Sequence, residues 1–120
     1  GHVVVEKQAF ISGLVGIHQF VRIGRNSMVG GMAGINKDVL PFSTVEGTPA
    51  RLLSLNAVGL KRANFKPNIR SAIKAAFKII SHPDLNTSQS IEKITSEVEM
   101  HEEITYLLDF IKNSTRGITK

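Results

Sequence analysis

Hydrophobic positions in the first forty residues recur every six. Val5, Ile11, Ile17, Ile23, Val29 and Ile35 form one aliphatic ladder. A second ladder of small or short side chains, Val3, Ala9, Val15, Val21, Ser27 and Ala33, runs two residues ahead of it. Glycines at 13, 16, 24, 30, 31 and 34 fall between the two. A helix repeats about every 3.6 residues and a strand about every 2, so neither alone produces this pattern. A hexapeptide period is the mark of a parallel β-helix, with short strands, β-branched residues stacked inside, and glycine or small residues taking the turns. Three hexads close one triangular coil. Val5 is then expected to stack on Ile23, Ile11 on Val29 and Ile17 on Ile35, with coils ~4.8 Å apart. General crossover rules favour a right-handed winding; nothing in the repeat itself sets the hand. These residues supply about two coils, whereas stacked repeats of this kind need roughly three or more. The repeat is already running at residue 1, which is Gly and not Met, so further coils are expected upstream.

From Asp38 the period breaks. Pro41, Gly47 and Pro49 mark an irregular exit, dividing the chain into end coils (1–45), an exit loop (46–57) and a helical domain (58–120). Val58 to Ala63 reads as a short helix. Ile69, Ala72, Ile73, Ala76, Phe77 and Ile80 form an apolar stripe at helical spacing, with Pro67 at its start and His82-Pro83 closing it. A third helix is expected from Ser88 or Ser90, carrying Ile91, Ile94 and Val98. A fourth carries Ile104, Leu107, Leu108 and Ile111, with Gly117 beyond. Short links predict a compact antiparallel bundle on the end of the β-helix.

Composition narrows the chemistry. With 42% hydrophobic and 21% charged residues and no apolar run near the ~20 residues of a membrane span, no stable membrane insertion is expected. The absence of cysteine excludes disulfides, thiolate catalysis and Cys-based zinc sites, and is compatible with the cytoplasm. A net charge of +5 favours acidic partners: phosphates, nucleic acid, anionic lipid or an acidic protein. Seven aromatics, no Trp and no recognition motif argue against a nucleic-acid module. His2 and His18 lie sixteen positions apart, close to one coil, and are expected to approach one another near one corner. Two imidazoles in a cleft can orient hydroxyls and a carbonyl, or lend charge to a phosphate; the plain alternative is two surface histidines. As a zinc site the pair lacks a third ligand. Arg70, Lys74 and Lys78 form a basic row at i, i+4 and i+8, either a solubilising face or a docking surface.

The segments GHVVV (1–5), VGIHQFVRIG (15–24), MVGGMAGINKDV (28–39), GLKRANF (59–65) and STRG (114–117) occur in an order that resembles the C-terminal part of the bacterial UDP-N-acetylglucosamine O-acyltransferases, which begin lipid A synthesis. The resemblance covers essentially the whole chain. GIHQF followed by GLKR carries its specificity, since hexads alone point only to a large transferase superfamily. It implies a left-handed β-helix, a cytoplasmic homotrimer and active sites in clefts between subunits. The implied reaction moves an (R)-3-hydroxyacyl chain from the phosphopantetheine of acyl carrier protein to the 3-hydroxyl of UDP-N-acetylglucosamine, with no further cofactor and no metal. The family's general base is a His held by an Asp, on a coil just before the position matching Gly1. This chain alone is therefore expected to be catalytically incomplete.

Residue by residue, the resemblance makes the Gly1 backbone N–H the oxyanion donor and His2 the supporting histidine beside the base. His18 and Gln19 match residues lining the acyl and sugar site. Asn56 and Arg62 match positions holding the uridine diphosphate, for which an Arg fork is suited; without GLKR, a Lys-Arg pair is usually just a solvated face. Met28 and Gly31 match the acyl-chain groove, where Gly31 leaves depth for a long acyl group. The basic row becomes a dock for acyl carrier protein. One departure is Pro49, in EGTPA (46–50), where the family often carries a further His; it bears on acyl specificity, not on reaction class. The alternatives are a hexapeptide-repeat acetyltransferase using acetyl-CoA on a small substrate, and a purely structural β-helix.

Overall fold

The computed structural model describes all of residues 1–120. Six two-residue strands follow at a spacing of six: β1 (Val4–Val5), β2 (Phe10–Ile11), β3 (Gly16–Ile17), β4 (Arg22–Ile23), β5 (Met28–Val29) and β6 (Gly34–Ile35). They pair in parallel with a register of eighteen, β1 on β4, β2 on β5 and β3 on β6, so that Val5 lies on Ile23, Ile11 on Val29 and Ile17 on Ile35. These are the three faces of a coil, and both ladders point inward. Val21, Ile23, Val29, Ala33 and Ile35 are buried in one core with Val39, Val45 and Ala50. The buried Ser27 hydroxyl donates to the Gly24 carbonyl at 2.7 Å, so a polar residue in the ladder leaves no unmet hydrogen bond.

Two expectations are corrected here. The first is the turns. The left-handed backbone conformation falls not on glycines but on His2, Gln8, Leu14, Phe20, Asn26 and Met32, with φ between 54° and 68°. Such a conformation costs about 1 kcal/mol or more per non-glycine residue, and the corners are held by contacts to the coil eighteen residues on. His2 stacks on Phe20 with ring centroids 5.2 Å apart, and the Asn26 side-chain amide donates to Gln8 Oε1 at 3.2 Å. The glycines serve another need: a side chain on Gly24 would collide with the Pro41 backbone.

The second correction concerns the end of the repeat. The six-residue period breaks after Ile35, yet the coil runs on into a third turn. Val39 bridges to Ile23, and β7 (Ser43–Glu46) pairs in parallel with β5, Val45 lying on Val29. The register in this third turn is sixteen, two residues having been dropped between Ile35 and Val39. The third face closes through Gly34 N–H to the Gly47 carbonyl and Ala50 N–H to the Gly34 carbonyl, both 2.9 Å. The segment expected as an exit loop (46–57) contains β8 (Arg51–Leu55), which folds back antiparallel on β7. Gly47, at φ +95°, makes the reversal possible.

Four helices follow: α1 (Ala57–Arg62), α2 (Pro67–Ile80), α3 (Thr87–Glu97) and α4 (Glu102–Lys112). Pro67 starts α2, and its buried side is Ala72, Ile73, Ala76, Phe77 and Ile80; Ile69, the first residue of the expected stripe, is half-buried against the same core. Helix α3 begins a little before the expected serines, because Asn86 and Gln89 form a capping box and Ser90 is buried. Leu40 and Phe42 leave the coil to join the helices' core. No helix is long and apolar enough to cross a membrane.

Charged groups of the coil hold α4. The Arg22 guanidinium donates to the Phe110 carbonyl at 2.7 Å and lies 4.0 Å from the Phe110 ring centroid. Arg25 stacks over Phe42 and Tyr106, at 5.2 and 4.8 Å, while its backbone N–H donates to the Glu6 carboxylate at 3.0 Å. Burial, and then the Glu6 carboxylate, push the Tyr106 phenol well above the ordinary tyrosine range.

A phenol with a raised pKa in the folded state contributes stability that is complete below the unfolded value, about 10, and is lost as pH rises through the folded value. The Tyr106-specific part of stability should therefore decline above about pH 10. In the full-length protein, Tyr106→Phe should show a shallower loss than wild type between about pH 9.5 and 11 in thermal unfolding. Parallel curves would contradict this.

Candidate functional site

Three hollows contain several of the residues singled out in the sequence: Met28, Asn56 and Arg62 in one, His18 in another, Arg70 and Lys74 in the third. The first, about 420 Å³, lies between the β2–β5–β7 face and the start of α1; Phe10, Met28 and Thr44 line one side, and Asn56, Val58, Gly59 and Arg62 the other. The coil register explains the first side: Phe10 lies directly on Met28, eighteen residues on, and Met28 on Thr44, sixteen residues on in the shortened third turn. On the other side, Asn56 caps α1. Its side-chain oxygen accepts from Gly59 N–H at 3.2 Å, and its amide nitrogen donates to the Asn26 carbonyl at 3.0 Å. A side chain on Gly59 would run into that amide, which accounts for the glycine in GLKR. Arg62, in the last turn of α1, is exposed and takes part in neither of the chain's two ion pairs. An apolar floor thus meets an unpaired guanidinium, an arrangement suited to a ligand with both an anionic and an apolar part.

The second hollow, about 530 Å³, is lined by Gly16, His18, Gly34, Asn36, Thr48 and Pro49 among others. Gly16 lies on Gly34, and a side chain on Gly34 would collide with that of Thr48. The Thr48 hydroxyl donates to the Met32 carbonyl at 3.1 Å. Pro49, the departure from the family pattern, is part of this wall. The ring stacked on His2 is not that of His18. A coil is eighteen residues and the two are sixteen apart, so His2 meets Phe20 instead. By the same register Gln19 falls beneath Gly1, and both are exposed. The His18 ring has a different neighbour, with Nδ1 3.5 Å from an Arg116 guanidinium nitrogen.

The third hollow, about 400 Å³, gathers Lys61, Arg70, Ser71 and Lys74 between α1 and α2. Arg70 is steadied by a bond from Nε to the Phe65 carbonyl at 3.2 Å. Lys78 does not belong to it; it lines a neighbouring depression with Lys93 and Glu97. Gly31 is not among the residues lining the hollow that contains Met28. A side chain there would come no nearer than 3.7 Å to the Gly13 carbonyl, so the chain's own packing does not require glycine at this position.

Sequence reasoning missed Phe10, Thr44 and Val58 in the first hollow and Asn36 and Thr48 in the second. Stepping eighteen residues back from Met28 would have found Phe10. Arg116 was visible only as part of STRG, with no partner assigned.

Residues 38–119 match the family model described as UDP N-acetylglucosamine O-acyltransferase, domain 2. An acyl-(acyl-carrier-protein)–UDP-N-acetylglucosamine O-acyltransferase of Gloeothece citriformis is 46% identical over 115 residues, which are 96% of this chain and 41% of the relative. One of Myxococcus xanthus is 35% identical over 118 residues, covering 98% and 46%. Among solved structures, a UDP-N-acetylglucosamine acyltransferase from Bacteroides fragilis superposes with a TM-score of 0.95 at 36% identity, covering 98% of this chain and 46% of that one. The corresponding protein from Acinetobacter baumannii gives 0.94 at 34% identity, covering 100% and 47%. The chain spans less than half the length of each of these relatives.

The double use of the Asn56 amide makes a structural prediction. Asn56→Ala in the full-length protein should lower stability by about 1–2 kcal/mol, from the lost cap and the unpaired Asn26 carbonyl. Denaturant unfolding at an unchanged midpoint would show that the amide is not so engaged.

Proposed function

The chain belongs to the UDP-N-acetylglucosamine O-acyltransferase family, and from that premise we propose that it forms the C-terminal half of an enzyme moving an (R)-3-hydroxyacyl chain from acyl carrier protein to the 3-hydroxyl of UDP-N-acetylglucosamine. The observation that carries this reading is the hollow in which Phe10 and Met28 face Asn56 and Arg62. A nucleotide sugar diphosphate with a growing acyl substituent has the matching mixture of charge and apolar surface.

In this reading Arg62 holds the diphosphate, Asn56 fixes the start of α1 that carries it, and Met28 and Gly31 border the acyl path. The Gly1 backbone N–H polarises the thioester carbonyl, with His2 in support, while His18 and Gln19 contact acyl and sugar oxygens. The general base, a His, belongs to a coil before Gly1. The donor acyl group arrives on the carrier's phosphopantetheine, and no other cofactor or metal is invoked. The β-helix is wound left-handed, its end coils span 1–45, and the helices of 58–120 form a small bundle joined through 46–57. Exposed Leu14 and Met32, eighteen residues apart, and the His2–Phe20 stack put apolar surface on two corners. That is what a homotrimer of a cytoplasmic enzyme, with sites between subunits, would cover.

The test is the full-length protein incubated with (R)-3-hydroxyacyl carrier protein and UDP-N-acetylglucosamine. The 3-O-acylated nucleotide sugar should form, and Arg62→Met should raise KM for the sugar nucleotide roughly tenfold or more, as loss of a charged hydrogen bond does. Turnover with acetyl-CoA and a small acceptor, but none with the acyl carrier, would replace this reading by the acetyltransferase one.

Arg70 and Lys74 line one hollow with Lys61, and Lys78 extends the basic surface, which suits an acidic carrier protein. Reversing the charge of Arg70, Lys74 and Lys78 together should raise KM for the carrier several-fold and flatten its salt dependence. An unchanged, salt-insensitive KM would leave the row as a solubilising face.

A further inference from the structure

We propose that Arg116 is a positioning residue for His18, holding its imidazole as the Nε2–H tautomer so that His18 acts in the second hollow as a hydrogen-bond donor. The role given to His18 rests on the functional reading above; the tautomer does not.

The STRG segment is fastened along residues 36–38. The Ser114 hydroxyl donates to Asp38 Oδ2 at 2.7 Å, Asp38 N–H to the Gly117 carbonyl at 2.9 Å, and Thr119 N–H to the Asp38 carbonyl at 2.8 Å. The Thr119 hydroxyl adds a bond to the Lys37 carbonyl at 3.2 Å. Asp38 is itself buried and accepts from Arg22 N–H at 2.8 Å, so the tail is tied to the coil and not merely to a surface loop. Gly117, at φ +83°, supplies the left-handed turn that lets residues on both sides of it bond to Asp38.

Arg116 lies within this clamp. Its Nε donates to the Asn36 carbonyl at 3.1 Å, which fixes the plane of the guanidinium, and another of its nitrogens lies 3.5 Å from His18 Nδ1. No carboxylate pairs with it, since the chain's ion pairs are Arg22–Asp38 and His101–Glu99. A guanidinium has donors and no acceptor. A nitrogen facing it must therefore offer a lone pair, and Nδ1 can do so only when the ring is neutral with its proton on Nε2. The ring then presents N–H, not a lone pair, to an oxygen of a bound molecule. This gives STRG, which itself lines none of the three hollows, a function through the residue that lines the second.

The experiment uses the full-length protein with 15N-labelled histidine, His18 being assigned by comparison with His18→Gln. At about pH 8, above the ordinary imidazole range, two-bond nitrogen–proton correlations should report the Nε2–H tautomer for His18 in the absence of substrate. In Arg116→Met, signals of the Nδ1–H form should appear, and Arg116→Lys should restore the original pattern at least in part. In the acyl-transfer assay, Arg116→Met should lower kcat/KM roughly tenfold, the loss of about one good hydrogen bond. The double variant Arg116→Met, His18→Gln should be no worse than His18→Gln alone, because both remove the same interaction. Unchanged His18 nitrogen shifts in Arg116→Met, or losses that multiply in the double variant, would overturn the proposal. Should Arg116→Met fail to fold, Arg116→Gln, which keeps a donor for Asn36 but no charge, gives the same readouts. The nitrogen spectra need no turnover, so failure of the acyl-transfer reading and failure of this one remain distinct.

Discussion

The buried carboxylate of Asp38 is the point on which the two halves of this molecule meet. It accepts the backbone N–H and, at 3.4 Å, the guanidinium of Arg22 from the coil, and the Ser114 hydroxyl from the segment after α4. Arg22 in turn reaches the Phe110 carbonyl. A carboxylate this deeply placed is tolerable only because its lone pairs are met on several sides. Those obligations fix where the chain leaves the solenoid, where α4 lies and where the C-terminal residues return. Removing any one partner would leave charge in a dry place, so the coil, the last helix and the tail form a single cooperative unit.

That constraint also explains what could be read along the chain and what could not. Six in-phase aliphatic residues made the coil legible, as period and inward direction are the same information in a hexapeptide repeat. The third turn was not legible. Dropping two residues after Ile35 shifts the register from eighteen to sixteen, and a search for a fixed spacing loses Val39 and Val45 at that step. Strand β8 was hidden differently: Arg51–Leu55 pairs only on the β7 side and is largely exposed or half-buried, so it carries neither a clean alternation nor an apolar run. The buried faces of α2 and α4 were plain, because helical period survives in sequence whatever the helix packs against.

Site geometry was legible only where the register could be applied. The grouping of Met28 with Asn56 and Arg62 depends on the path from β7 through β8 into α1, which spacing does not encode. For the two histidines the arithmetic was available, and sixteen is not eighteen; the full coil step from His2 reaches Phe20, two residues beyond His18. Arg116 lies ninety-eight positions from His18, and their meeting follows from the return of the tail to Asp38, a contact no local pattern announces.

The shortened third turn has a consequence for how the molecule ends. A parallel coil with a free lower rung is an open template: any strand of suitable register, including one from another copy, could add to it without limit. Here the change of register removes the match for a further hexad. The antiparallel β8 then occupies the edge of β7, and Leu40 and Phe42 are drawn away into the helices. Two missing residues thus act as a length limit, turning a structure that could propagate as a fibre into one that stops.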